Sequence, residues 1–428
     1  MKKNILIISY AYPPNNVAGA QRPYALAKYL DKTKFNVTVI TCENPDLPIA
    51  ENENFDPNLD KVELFYIKSK VGSSATKLRQ QTNQKKNKVS VLSKLKSILF
   101  KIGQQLIFPD KSMFWYPNVK TYLKQNPEII KNTDIVFSTS PGVTNHRIAR
   151  YIKKRNENIL WIADFRDFYC VENWHDKSGI KAHLHQNLEK SIIKEASKLT
   201  FVTKTMLLAY QKFYLQFQNK MHCVYNGSDK EDFPAAPEYL SDKLSFFYAG
   251  SFYGGLRSPF PLMQLLDKAI EDNLMNIKNI QIQIAGNIDE DMKSAMQNYK
   301  SYHCIEFLGN LPRTRVLQCM GNVTFLWLIV ANIKSHYQTV PIKLFEYIAA
   351  RRPIINFAPI ISESSQIVRE MNLGYNFDTV DFNIEKSYPA FKDLLSKYKE
   401  GAFNKPVPNE NLHTFTWENQ IKLMENLL

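Results

Sequence analysis

The chain has 428 residues, 44% hydrophobic and 22% charged, with a net charge of +14 and a pI near 9.2. That length holds two domains of about 200 residues each, and the basic balance favours an acidic partner such as a nucleotide, a phospholipid surface or nucleic acid. Five scattered cysteines (Cys42, Cys170, Cys223, Cys304, Cys319) form no C-x-x-C pair, no apolar run reaches the length of a membrane span, and MKKNILIISYAYPP reads as a first strand rather than a cleaved signal; this excludes a structural zinc and points to a reducing cytoplasm.

The short apolar run Asn4 to Ser9 predicts a buried parallel strand. A loop carrying Gly19 follows, then a helix from about Gln21 to Leu30 and a strand over Val37 to Thr41, which together make the βαβ start of a doubly wound domain. One glycine is weak evidence for phosphate binding, because the dinucleotide fingerprint needs more. Residues 45 to 62 read as loop and Leu64 to Ile67 as strand. From Lys68 to Pro109 there is no acidic residue. Within that segment Val91, Leu92, Leu95, Ile98, Leu99, Ile102 and Leu106 recur at helical spacing, with Lys85, Lys86, Lys88, Lys94 and Lys96 around them. This basic amphipathic pattern suits an anionic membrane surface; the bland reading is a helix packed on its own domain with a solvated lysine face. The segment lacks interleaved aromatics, and no nucleic-acid-binding motif is evident, so a nucleic-acid partner is not expected.

Ile135 to Ser138 reads as a strand, followed by a turn and a helix beginning near His146, a lone histidine that is more often structural than catalytic. Leu160 to Ala163 is the next strand and ends in Asp164-Phe165-Arg166-Asp167. Charges at the carboxyl end of a parallel strand point toward a ligand crevice, unless they close a salt-bridged loop. A strand at Leu199 to Thr203 precedes the turn Asn226-Gly227, and Phe233 to Tyr239, with Pro234 and Pro237, reads as the linker.

The second half opens with the strand Leu244 to Ala249 and the glycine-bearing loop Gly250 to Arg257. A helix over Pro261 to Ile270, a strand over Ile280 to Ala285 with Gly286 after it, a strand over Ile305 to Leu308 and a helix near Thr314 to Met320 come next. The run Val323 to Val330 is a buried strand. After it, Pro341 suits the first turn of a helix reaching about Arg351. The backbone N–H groups of that first turn, those of Val340 and Ile342 among them, and the helix dipole offer a phosphate site. Lys343 adds a cation there, and Glu346 on the same face could accept two ribose hydroxyls. Spacing alone fits equally an ordinary amphipathic helix with Lys343 and Glu346 in solvent. Ile354 to Ala358, Ser362 to Met371 and Trp417 to Leu428 read as a strand and two helices.

The string P-x-K-L-F-E-Y-x-A-A-x-x-P-I from Pro341 onward resembles the donor-site helix of glycosyltransferase family 4, in its branch with P-x-K-x-x-E-Y. W-I-A-D-F-R-D, the N-G-x-D turn at Asn226 and the Gly250 loop extend the resemblance over nearly the whole chain. It implies the GT-B fold: two Rossmann-like α/β domains facing a central cleft, with a terminal helix crossing back to the first. The implied divisions are residues 1–235 on the acceptor side, 236–415 for the nucleotide-sugar donor, and 416–428 for the returning helix. By resemblance Glu346 binds the donor ribose, and Gln338 stands where the family has a glutamate toward the transferred sugar. Gly19 is the remnant of a glycine pair. Gly250, Ser251 and Arg257 match the loop that faces the diphosphate, although Ser251 departs from a basic residue; Arg166, a catalytic candidate, stands where many members have histidine, and Asp164 beside it is the candidate general acid or base. The implied activity is retaining sugar transfer from a donor, UDP-linked by the resemblance, to a glycan or lipid-linked acceptor in surface polysaccharide synthesis. No metal-ligand cluster such as D-x-D stands in a suitable loop, so charge neutralisation is expected to fall to protein cations, without metal or other cofactor. The basic amphipathic segment places Lys85, Lys86, Lys88, Lys94, Leu95, Ile98 and Ile102 toward membrane or acceptor at the inner face of the plasma membrane. The rivals are a nucleotide-sugar epimerase of the same fold and a non-catalytic membrane-associated phosphate-binding protein.

Overall fold

A computed structural model of the chain describes residues 2–15, 17–45, 47, 58–70, 107–171, 179–232, 243–333, 337–408 and 412–428. The expected basic helix with Lys85, Lys86, Lys88, Lys94, Leu95, Ile98 and Ile102, and the linker containing Pro234 and Pro237, lie outside the described residues. The chain divides into two units. The first holds Met1–Val202, Met206–Val224 and Ile421–Leu428; the second holds Thr203–Thr205 and Tyr225–Gln420.

The first unit contains one seven-stranded sheet, β1 (Lys3–Ser9), β2 (Phe35–Cys42), β3 (Val62–Ile67), β4 (Ile135–Thr139), β5 (Leu160–Phe165), β6 (Lys198–Phe201) and β7 (Met221–Cys223), in the order β3-β2-β1-β4-β5-β6-β7. Every neighbouring pair is parallel, with Ile5 opposite both Val37 and Ile135. Parallel strands buried on both faces need apolar residues at successive positions, which is why the central strands are continuous hydrophobic runs. Alternate side chains feed two cores. Leu6 and Ile8 join Trp115, Trp161 and Phe165 on one face. Ile5 and Ile7 join Tyr24, Leu26, Ile421 and Met424 on the other.

The second unit repeats the plan with six strands: β8 (Leu244–Ala249), β9 (Ile280–Ala285), β10 (Ile305–Gly309), β11 (Phe325–Ile329), β12 (Ile354–Phe357) and β13 (Gly374–Phe377), ordered β10-β9-β8-β11-β12-β13 and parallel throughout. Phe246 and Tyr248 point into one core, and Phe247 into the other. In this doubly wound order the chain reverses direction between β8 and β11, and the crevice at such a reversal is where ligands bind in open α/β sheets.

Three sequence expectations shift. The first helix is Ala18–Tyr29, so Gly19 sits in its first turn and not in a loop before it. The helix after β11 is Ile342–Ala350, with Pro341 as its N-cap and Arg351 ending it in a left-handed conformation, φ 56°. The units change at Val224/Tyr225, before residue 235. The reason is the Asn226-Gly227 turn: Ser228 N donates to Phe415 O and Trp417 N to Ser228 O, which joins this stretch to the second unit.

Gly374 sits opposite Ile354 at φ +150°, and a Cβ there would lie 2.1 Å from Ile354 O and 2.7 Å from Ile354 N. No flexible side chain can give way. Gly374→Ala is therefore expected to destabilise the second unit by about 2 kcal/mol or more. Its urea unfolding midpoint reads this, and a loss below ~0.5 kcal/mol would contradict the close approach.

Candidate functional site

The carboxyl end of β8 carries the second unit's candidate site. Gly250 follows Ala249 at φ +137°, and its N–H bonds Ala285 O at 2.8 Å. Gly286, at the end of β9, has φ +129°, and a Cβ on it would lie 2.5 Å from Gly250 O. Only glycine allows the two strand ends to approach this closely. The space above Gly250 is taken by Lys343: its Nζ donates to Ala249 O at 2.7 Å, lies 4.2 Å from the Tyr248 ring centroid, and would be 3.0 Å from a Cβ on Gly250. Lys343 is thus not a solvent-facing residue of an ordinary amphipathic helix. Burial, reinforced by the nearby Arg257 charge and opposed by Glu346, pushes it down to about 7. Tyr248 donates to Ser251 O at 2.9 Å, and burial pushes its phenol up to about 12.

Ser251 supplies no charge; its Oγ accepts the Tyr253 N–H at 3.1 Å. Arg257 lies over the Tyr253 ring, 4.6 Å from its centroid. Val340 is buried and Ile342 opens the helix. Thr203, within the same unit, donates to the backbone O of Gln338 at 2.7 Å, and the Gln338 Oε1 is buried with no partner among the described residues. Glu346, one turn along the helix, accepts Arg313 Nη1 at 2.5 Å, and Arg313 Nη2 reaches Asp232 Oδ2 at 2.6 Å. Burial opposes the Arg313 charge, but Glu346 and Asp232 outweigh it and hold its proton more tightly than usual. The structure therefore brings Gly250, Arg257, Lys343 and Glu346 together at one switch point. Sequence reasoning missed Arg313, Asp232 and Tyr248. The signal for Arg313 was a cation directly after Leu311-Pro312 at a helix start, where the dipole disfavours it.

The first unit corrects one expectation. Asp164 does not open toward a ligand. It is fully buried, and Arg22 binds it through Nε and Nη2 at 2.9 and 2.8 Å, with Thr139 and Thr200 donating at 2.7 and 2.6 Å. Burial works to raise its pKa, yet Arg22 and the donated hydrogen bonds hold it below the usual carboxylate range. Arg166 is buried too and donates to Gly19 O at 2.8 Å and Ala18 O at 2.6 Å, fixing the start of the Ala18–Tyr29 helix. A Cβ at Gly19 would make ordinary contacts only. His146 is wholly buried, 2.8 Å from Ser138 Oγ, and pushed down to about 4 by burial, in keeping with a structural role.

No protein-family model matches the chain. No curated protein matches it either. Solved structures do, along the full length. Sucrose-phosphate synthase from Thermosynechococcus elongatus superposes with a TM-score of 0.62 at 12% identity, covering 100% of this chain and 98% of that one. A glycosyltransferase from Rickettsia africae ESF-5 gives 0.63 at 14%, with 100% and 97% covered. The catalytic domain of starch synthase IV from Arabidopsis thaliana, bound to ADP and acarbose, gives 0.62 at 12%, with 100% and 99% covered. The fold is GT-B. Identities this low show the GT-B architecture and leave activity to the residues of the site.

Removing one partner of a buried ion pair strands the other. Asp164→Ala is expected to destabilise the first unit by about 3–5 kcal/mol, measured by chemical denaturation. Because the folded-state pKa of Asp164 is depressed, its contribution is complete above the unfolded value near ~4 and is lost as pH falls below it toward the folded pKa. An unchanged acid-unfolding profile in Asp164→Ala would contradict this assignment.

Proposed function

We propose that the chain is a glycosyltransferase that takes a sugar from a nucleotide donor and passes it to a glycan or lipid-linked acceptor, with retention of configuration. The observation that carries this is the convergence of Arg257 and Lys343 on the glycine-lined end of β8, beside the first turn of Ile342–Ala350, with Glu346 one turn further. Two cations and helix N–H groups suit a leaving diphosphate, and a carboxylate beyond them suits a ribose. The starch synthase of the same fold, bound to ADP, supports a nucleoside diphosphate as the ligand class. UDP as the carrier and membership of family 4 rest on the sequence resemblance, as does a contact of Gln338 with the transferred sugar.

In this reading the protein performs little covalent chemistry. It orients the donor and neutralises the charge that develops on the departing diphosphate. Lys343 and Arg257 supply that charge, so the reaction is proposed to run without metal. Attachment to an anionic inner membrane face through residues 85–102 is supported by their basic, periodic composition.

A panel of UDP-, ADP- and GDP-sugars, run in EDTA, tests the reading by thermal shift and product NMR. A ligand at 100 times its dissociation constant adds about 2.7 kcal/mol of stability. Stabilisation by none of them would dismiss the proposal, and activity lost in EDTA but restored by Mg²⁺ or Mn²⁺ would dismiss the metal-independent part.

The state of Lys343 gives a pH dependence. A nucleotide sugar carries no group of its own titrating from pH ~7 to ~9, while free Lys343 loses its proton above about 7. Binding must then return that proton, so donor affinity falls as pH rises, by up to roughly tenfold per unit. Lys343→Arg, which stays charged, is expected to flatten the profile. A flat wild-type profile in calorimetry would exclude Lys343 from the diphosphate.

A further inference from the structure

Arg313 begins the helix Arg313–Gly321 directly after its N-cap, Pro312. The helix dipole opposes a cation there. Two carboxylates on different elements offset it: Asp232 in the 230–232 turn and Glu346 on Ile342–Ala350. The side chains of Arg313, Asp232 and Glu346 are 18%, 15% and 12% exposed, so none is held mainly by solvent. A planar guanidinium bound at both of its terminal nitrogens cannot swing, and it fixes the plane of the carboxylate it holds. Glu346 spends Oε1 on this contact, and its Oε2 has no partner among the described residues.

We propose that Arg313, anchored by Asp232, is the positioning residue that aims the second oxygen of Glu346 at the ribose hydroxyls of the nucleotide donor and so sets the protein's preference for a ribonucleotide. The proposal rests on the reading of the second unit as a nucleotide-sugar site. Neither Arg313 nor Asp232 touches the ligand. They act by removing the rotamer freedom Glu346 would otherwise lose on binding, which is preorganisation of a charged acceptor. A triad serving stability alone would tie the same three elements together yet have no effect on which sugar the nucleotide carries.

Calorimetric titration of the full chain separates the two. The probes are UDP, ADP and GDP, their 2′,3′-dideoxy counterparts, and inorganic pyrophosphate. Wild type is expected to prefer the ribose form by about tenfold or more, as for hydroxyls donated to a charged acceptor. Glu346→Ala is expected to abolish the preference. Arg313→Lys keeps a positive charge but loses the fork, and is expected to cut the preference to roughly threefold or less. Asp232→Asn leaves Arg313 in place and should give a smaller drop. Pyrophosphate, which calls on Arg257, Lys343 and the helix N–H groups and not on Glu346, should bind all four proteins alike, showing that the variants are folded at the site. Combining Arg313→Lys with Glu346→Ala should cost no more than Glu346→Ala alone. Full ribose preference in Arg313→Lys, with Glu346→Ala defective, overturns the proposal and leaves the site reading standing. Nucleotide binding by wild type without ribose preference overturns it as well. Failure of wild type to bind any nucleotide overturns both.

Discussion

The candidate site depends on how closely two strand ends come together. The backbone of Gly250 lies against Gly286, at a separation where a Cβ would collide with a carbonyl oxygen. A side chain at Gly286 would push β8 and β9 apart at their carboxyl ends, and one at Gly250 would press on the Lys343 ammonium. With none present, the Lys343 ammonium descends onto Ala249 O and the Tyr248 ring. A half-buried lysine is tolerated when its proton is loosely held and its donors are engaged. Its position in turn fixes the first turn of Ile342–Ala350 over the switch point, with Glu346 on the neighbouring turn. Two glycines and one lysine thus determine where charge can collect in the second unit.

The two units use buried charge differently. In the first, Asp164 spends both oxygens on Arg22, with Thr139 and Thr200 completing the set, so the group is sealed and holds β4, β5, β6 and the Ala18–Tyr29 helix in register. In the second, Glu346 and Lys343 keep capacity in reserve: one oxygen of the carboxylate, and a proton near the neutral range for the amine. Sealed pairs favour structure, because any movement strands a charge. Groups with unspent capacity are those a ligand can complete. The same residue types at strand ends therefore carry different meanings, and only their partners distinguish them.

That difference explains what could be read from the residues alone. The central strands were legible, since β1, β4, β5, β8 and β11 are apolar on both faces and their sequences say so. The edge strands β7 and β13 were not: Met221–Cys223 is short, and Gly374–Phe377 is only part-buried, so neither has a hydrophobic run. Helices such as Gly179–Glu195 and Ile384–Lys399 are hard to read from the residues, because mixed polar sequence and an internal Pro389 hide their periodicity. At the site, Lys343 and Glu346 were visible through the proline that starts their helix. For Asp164 the sequence misleads, because position at a strand end does not reveal that Arg22, on a distant stretch of chain, has already claimed it. For Arg313 the one sequence signal is a cation at a helix start, and its partners Asp232 and Glu346 do not show in the sequence because they lie far from it along the chain.

One feature of the first unit bears on how the protein is made. Ile421 and Met424 are almost wholly buried among Ile5, Ile7, Val37 and Ile135, and Lys3 Nζ donates to Leu428 O at 2.9 Å. Strands β1 to β7 leave the ribosome long before these residues do, so the nascent sheet must wait with one face unfinished while the whole second unit is synthesised. Domains otherwise tend to fold in order of emergence. Here the N-terminal unit can close its core only after the second has been made, which leaves an apolar face uncovered during translation.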